Sequence, residues 1–156
     1  YGSTRPMIIT GGSGNNRTRL CALKSALKES KLTAGALVED ITGYASLRQA
    51  MYLAALFIER DCDSIIALGG GAVMETARAV NILTRQRDMR KALETEIPGS
   101  LNPLVYVYDG DCDGLETYCR IHVDVNSMSS PFLYPDIICI DNRMVKLCRG
   151  GEMLNR

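Results

Sequence analysis

The stretch Asp63-Ser64-Ile65-Ile66-Ala67-Leu68-Gly69-Gly70-Gly71-Ala72-Val73-Met74-Glu75-Thr76-Ala77-Arg78-Ala79-Val80 decides the fold. Its first part reads as an apolar strand. Gly69, Gly70 and Gly71 follow and open directly into a helical repeat. Such a junction is where α/β proteins hold phosphate. Backbone without side chains can approach an anion closely, and a helix N-terminus supplies unpaired N–H groups at the positive end of its dipole. The spacing is neither the G-x-G-x-x-G fingerprint nor a P-loop with its Lys. The glycines alone fit a phosphate site or a plain tight turn equally well.

Working outward, the same alternation of strand and helix recurs. Met7-Ile8-Ile9-Thr10 is a short apolar strand followed by Gly11-Gly12-Ser13-Gly14. A helix fits 17–30, with Asn16 as its cap and Leu20, Leu23 and Leu27 on one face. Ala36-Leu37-Val38 reads as a second strand ending at Glu39 and Asp40. Ser46 can cap a helix in which Leu47, Met51, Ala54 and Ile58 repeat. The helix after Gly71 should bury Val73, Ala77 and Val80, and a short charged helix is expected over 86–95. Pro103 to Tyr108 is a fourth main strand. Beyond Thr117 the pattern changes. Residues 120–125 alternate with period two, and 136–140 form another apolar run, so a hairpin or edge strands are expected.

The fold class that follows is α/β: a Rossmann-like, mainly parallel sheet with helices on both faces, plus a C-terminal hairpin or edge-strand extension. Residues 1–145 are read as one nucleotide-binding-type domain and 146–156 as a polar tail. A chain of 156 residues is one domain's worth, and a hydrophobic fraction of 46% suffices for a core. Eighteen basic residues balance eighteen acidic ones, so neither nucleic acid nor an anionic membrane is an expected partner. No apolar run approaches the ~20 residues of a membrane span, and no signal-peptide pattern is present. The chain opens on Tyr1 without an initiator Met, as a fragment would. None of the six Cys lies in a C-x-x-C pair; several sit in apolar runs, as buried reduced thiols do, and a cytoplasmic protein without a disulfide framework is expected.

The order of these pieces resembles the N-terminal, dinucleotide-binding domain of the iron-dependent (group III) alcohol dehydrogenases. The family's G-G-G-S-x-x-D-x-A-K-A corresponds to Gly69-Gly70-Gly71-Ala72-Val73-Met74-Glu75-Thr76-Ala77-Arg78-Ala79. Its P-T-T-x-x-x-G-S-E loop corresponds to Tyr108-Asp109-Gly110-Asp111-Cys112-Asp113-Gly114-Leu115-Glu116. Its P-D-x-x-x-x-D-P segment corresponds to Pro135-Asp136-Ile137-Ile138-Cys139-Ile140-Asp141-Asn142. The likeness spans nearly the whole chain, and the glycine run and the 135–141 segment are its specific parts.

The resemblance implies an NAD(P)-linked alcohol or aldehyde oxidoreductase, represented here by its cofactor domain. Gly69, Gly70 and Gly71 would hold the pyrophosphate of NAD. Glu39 or Asp40 would accept hydrogen bonds from the adenosine ribose, and a carboxylate there favours NAD over NADP. Gly114 and Glu116 would shape the opposing loop. The family's iron or zinc is held by one Asp and three His of a helical domain. The only His here is His122, in a strand pattern, so no metal ligand set is expected in these residues and the chain alone is expected to be inactive. A helical domain or partner chain would complete the enzyme, and a homodimer is expected.

The departures define a second reading, from a different class. Asp109 and Gly110 stand where the family has two Thr, Leu115 where it has Ser, and Ala72 replaces the Ser of the glycine motif. Carboxylates offer a phosphate no donor and repel it. On this alternative the chain is a non-catalytic binding or assembly module with a degenerate cofactor site. Asp109, Asp111 and Asp113 also match the opening D-x-D-x-D-G of a calcium loop. Glu116 and Arg120 then break the pattern, and a solvated acidic loop is the plainer reading. Tyr106, Tyr108 and Tyr118 are read as packing residues.

Overall fold

Pro6–Gly11 forms strand β1, and the fully apolar Met7, Ile8 and Ile9 bury both of its faces, as a central parallel strand requires. Helix α1 spans Gly14–Glu29, β2 Ala36–Ile41, α2 Leu47–Glu59, β3 Ser64–Gly69 and α3 Gly71–Arg85. Strands β4 (Leu104–Tyr108), β5 (Arg120–Val123), β6 (Asn126–Ser129) and β7 (Ile137–Cys139) follow. This computed structural model describes residues 2–12, 14–88, 91, 100–108, 120–124, 126–130 and 133–139.

The main sheet has the order β2-β1-β3-β4-β7, and every pairing in it is parallel. β5 and β6 pair antiparallel as a separate hairpin sheet. The extension expected after Tyr108 is therefore both things at once: a hairpin, and an edge strand added to the main sheet. The polar β6 segment (Asn-Ser-Met-Ser) carries no strand signal of its own.

The sheet is covered on both faces. Leu20 of α1, with Leu23 and Leu27, packs on Ile8, Ile66, Leu68 and Val107. The opposite, larger core joins Met7, Ile9, Ile65 and Tyr106 to α2 and α3, and closes with Ile121, Val123 and Leu133. α3 lies at the centre of that layer and is buried on nearly all sides. Even Arg78 is only 1% exposed, where its Nε donates to the Leu133 carbonyl at 3.1 Å. Asn81 and Asn102 tie the C-terminal half of α3 to the approach of β4 through reciprocal bonds of 2.9 to 3.0 Å.

Three local expectations are corrected. Asn16 is not the cap of α1 but its third residue, 6% exposed. The helix starts earlier because Gly14 and Asn15 continue the turn. In α2, Ser46 does cap, accepting from Gln49 N at 3.2 Å. The buried face, however, is Ala50, Leu53, Ala54 and Phe57, while Met51 and Ile58 are 53% and 54% exposed. The helix is apolar nearly all round, so periodicity alone left its rotation undetermined. Asp124 in the β5–β6 turn accepts from Leu47 N at 3.1 Å and helps fix it. The helix expected around 86–95 starts later than Gln86, which leaves α3 extended (φ −129, ψ 107), and Lys91 within it is helical. Residues 89–90 and 92–99 lie outside the described residues.

At the N-terminal edge of the sheet a polar clasp joins the chain start to β3. Asp63 accepts from Ser3 Oγ (2.8 Å), Thr4 N (2.7 Å), Thr4 Oγ1 (3.0 Å) and Arg5 N (3.1 Å). Ser3 and Ser64 share a further hydroxyl contact. Burial pushes the Asp63 carboxyl up, but the bonds from Thr4, Ser3 and Arg5 outweigh it and hold its pKa far below the usual carboxylate range.

Of the six Cys, Cys21, Cys62 and Cys139 are described and free. Cys21 and Cys139 are exposed and Cys62 is half-buried. No helix among the described residues is long and apolar enough to cross a membrane.

Candidate functional site

The strand order fixes where a ligand can sit. β1 leads through α1 to β2 on one side, while β3 lies on the other side of β1. The turns after β1 and β3 therefore depart in opposite directions, and their carboxyl ends frame a crevice. Gly11 and Gly12 open the first turn. Gly69, Gly70 and Gly71 form the second.

The second turn is constrained by packing and open beyond it. Gly69 has φ +149, a conformation that side chains resist. A Cβ there would stand 2.9 Å from Val73 Cγ2. Its carbonyl accepts from the buried Tyr106 Oη at 2.8 Å. Gly70 is the N-cap of α3, with no side-chain cap, and Ala72 offers no hydroxyl. The first N–H groups of α3 thus face the crevice with no partner in their own helix. A Cβ on Gly71 would meet nothing within 4 Å. Packing therefore demands Gly69 but not Gly71, where open space lies in front of the helix end.

Asn16 connects the two turns. Its Nδ2 donates to the Gly11 carbonyl at 3.1 Å and its Oδ1 accepts from Arg19 at 3.2 Å. A Cβ on either Gly11 or Gly69 would meet both Asn16 and Val73. The two glycine turns thus share one pair of side chains. This role was not legible in the sequence, where Asn16 reads only as an Asn near a helix start.

Beside the first turn, Thr10, Gly11, Gly12, Asn16, Arg17, Leu20 and Glu39 line a cavity of about 380 Å³. Thr10 is 1% exposed, and its Oγ1 has no hydrogen-bond partner among the described residues. Burying a hydroxyl unpaired is costly, which suits a group that bonds a ligand.

A bulge in β2 separates the two carboxylates left open by the sequence. Ile9 pairs with Val38 and Gly11 with Ile41, so Glu39 and Asp40 together oppose Thr10. The extra residue re-aims the strand end. Glu39 lines the cavity and Asp40 does not. Gly70 and Gly71 are not among its lining residues either, so the cavity and the open helix end are neighbouring parts of one crevice, joined through Gly11, Asn16 and Gly69.

The remaining expectations fall elsewhere. Gly114, Glu116 and the acidic Asp109, Asp111 and Asp113 lie outside the described residues, as does Tyr118. Tyr106 is a core residue, as expected. No group of three or more His, Cys, Asp or Glu that could hold a metal occurs among the described residues.

The family model for iron-containing alcohol dehydrogenases matches residues 1–142. The chain belongs to that family. No curated protein matches it. Among solved structures, it is similar to NADH-dependent butanol dehydrogenase A from Thermotoga maritima (17% identity, TM-score 0.77), covering 91% of this chain and 38% of that one. It is also similar to the iron-containing alcohol dehydrogenase from Thermococcus thioreducens (17%, TM-score 0.78), covering 93% and 42%. A third similar structure is sulfoacetaldehyde reductase from Bifidobacterium kashiwanohense in complex with NAD+ (14%, TM-score 0.75), covering 92% and 40%. At these identities the likeness shows the fold: the Rossmann-like α/β domain at the N-terminal end of the iron-containing alcohol dehydrogenases. The chain spans about two fifths of the length of those structures.

Proposed function

We propose that this chain is the dinucleotide-binding part of an iron-type alcohol or aldehyde oxidoreductase and that it binds NAD at the carboxyl ends of β1 and β3. The observation that carries this reading is the juxtaposition, through Asn16, of an uncapped helix end at Gly70–Gly71 with the cavity holding Thr10 and Glu39. The two features match the two polar parts of the cofactor. The N–H groups of α3 would bind pyrophosphate, and the open space in front of Gly71 lets an anion reach them. Glu39 would accept hydrogen bonds from the ribose hydroxyls, and the buried Thr10 hydroxyl supplies a further donor or acceptor. Among the described residues, then, the donor set fits NAD.

These residues would hold NAD, whose nicotinamide would supply a hydride acceptor for oxidation of an alcohol. Their part is to bind the cofactor, orient it across the crevice and keep its phosphates on the α3 dipole. We assign activation of the alcohol to a helical domain, on the same polypeptide or on a partner chain. We expect the chain to act in a homodimer.

Calorimetric titration of NAD+ into the chain, with calcium chelated and then added, tests the reading. Saturable binding with Kd below about 1 mM, roughly −4 kcal/mol, supports it, with no alcohol-dependent NADH formation by the chain alone. No binding under either condition overturns it. Binding only after calcium is added would assign the acidic 109–113 loop a metal that neutralises it before the phosphates arrive.

A further inference from the structure

Arg17 is the fourth residue of α1, exposed, and lines the same cavity as Glu39 and Thr10. Neither Arg17 nor Glu39 has a hydrogen bond or ion pair among the described residues. Arg17 and Glu39 thus bring a guanidinium and a carboxylate, neither with a partner among the described residues, to the lining of one cavity. The β2 bulge presents the carboxylate and the first turn of α1 the guanidinium. These are the two groups by which a ribose site chooses its nucleotide. A carboxylate accepts from a 2′-hydroxyl and repels a 2′-phosphate, while a guanidinium pairs with a 2′-phosphate in a bidentate fork. The unpartnered Thr10 hydroxyl, buried in the same wall, independently marks the cavity as a ligand site.

We propose that Arg17 is a specificity-determining residue of this cavity: a latent 2′-phosphate contact whose effect Glu39 masks. The inference rests on the dinucleotide reading above and deepens it. Glu39 sets the preference for NAD. Arg17 contributes little to NAD, which has no charge at the 2′ position, and much to NADP once the carboxylate is gone. The masking is electrostatic, so it weakens as salt screens both exposed groups.

The test measures NAD+ and NADP+ binding by calorimetry for the unaltered chain, Glu39→Gln, and Glu39→Gln combined with Arg17→Gln. Both side chains are exposed, so the variants should fold, and circular dichroism checks that they do. Glu39→Gln should tighten NADP+ about tenfold or more and weaken NAD+ severalfold. Adding Arg17→Gln should abolish the NADP+ gain, and the gain in Glu39→Gln should shrink on raising salt from 50 to 500 mM, as the Debye length falls from above about 10 Å to about 4 Å. An NADP+ affinity that is the same with and without Arg17 overturns the inference and leaves the dinucleotide reading standing. Failure of NAD+ to bind the unaltered chain and every variant overturns that reading and this inference with it.

Discussion

The two ends of β3 are built on opposite principles. At its N-terminal end, Asp63 is enclosed by donors from Ser3, Thr4 and Arg5, and its charge is used entirely within the molecule. At its C-terminal end, Gly69–Gly71 leaves the N-cap of α3 without a side chain, and the adjacent β1 buries the Thr10 hydroxyl with no partner among the described residues. Both ends are polar. One is satisfied internally and acts as a clasp. The other holds back hydrogen-bonding capacity, at a cost to stability, as a binding site must. The comparison separates polar residues that hold the fold from those that await a ligand.

The largest effect that could break the comparison is expected at Gly69. Gly69→Ala forces a side chain into φ +149 and within 2.9 Å of Val73, so it should destabilise by about 2–4 kcal/mol in urea unfolding. If it does not, the glycine turn is not a packed hinge between strand and helix.

Next comes the clasp. Asp63→Asn should cost about 1–2 kcal/mol at pH 7, a value discounted for partial exposure. The sign of the pH dependence follows from a folded-state pKa lowered below the unfolded one. The clasp's contribution is complete above the unfolded pKa of about 4 and is lost as pH falls through the folded pKa. Unfolding free energy of the unaltered chain should therefore fall from about pH 4 downward, and Asp63→Asn should flatten that slope. NAD+ affinity should not move.

At the two open-end positions that packing does not constrain, Thr10 and Gly71, the expected stability changes are smaller and of the opposite sign. Thr10→Val removes a buried hydroxyl that has no internal partner, so thermal unfolding should show a gain of up to about 1 kcal/mol. NAD+ affinity should fall severalfold in the same variant. Gly71→Ala has room for its methyl group and should shift stability by no more than about 0.5–1 kcal/mol, upward. Its NAD+ affinity should fall, because the methyl occupies the space an anion would use. A loss of stability in Thr10→Val would place that hydroxyl with the internal bonds of the clasp and sharpen where the boundary between the two ends lies.

Much of the fold was legible because strand and helix signals were strong and separated by glycine. The apolar runs at Met7–Ile9 and Ile65–Leu68, the Ser46 cap and the face Leu20, Leu23, Leu27 all read through to the structure. The rotation of α2 was not legible, because its apolar residues surround the helix and the choice rests on distant contacts such as Asp124 to Leu47. The site was legible only in part. The glycine run showed where a phosphate could sit, and the end of β2 offered Glu39 and Asp40 as equals. The bulge that separates them depends on pairing with β1, which one strand's sequence does not encode. The places of Asn16, Thr10 and Arg17 in the site were not legible for the same reason. Each is ordinary in its own segment and acquires meaning only where β1, β2 and α1 meet.

The most direct test of the division between the two ends is amide shift mapping of the isotopically labelled chain as NAD+ is added. Perturbations are expected at residues 10–12, 16–17, 39 and 69–73, with 3–5 and 63–64 unmoved. Shifts absent from the glycine turns, or concentrated at the Asp63 clasp, would contradict the assignment of the open end as the binding site.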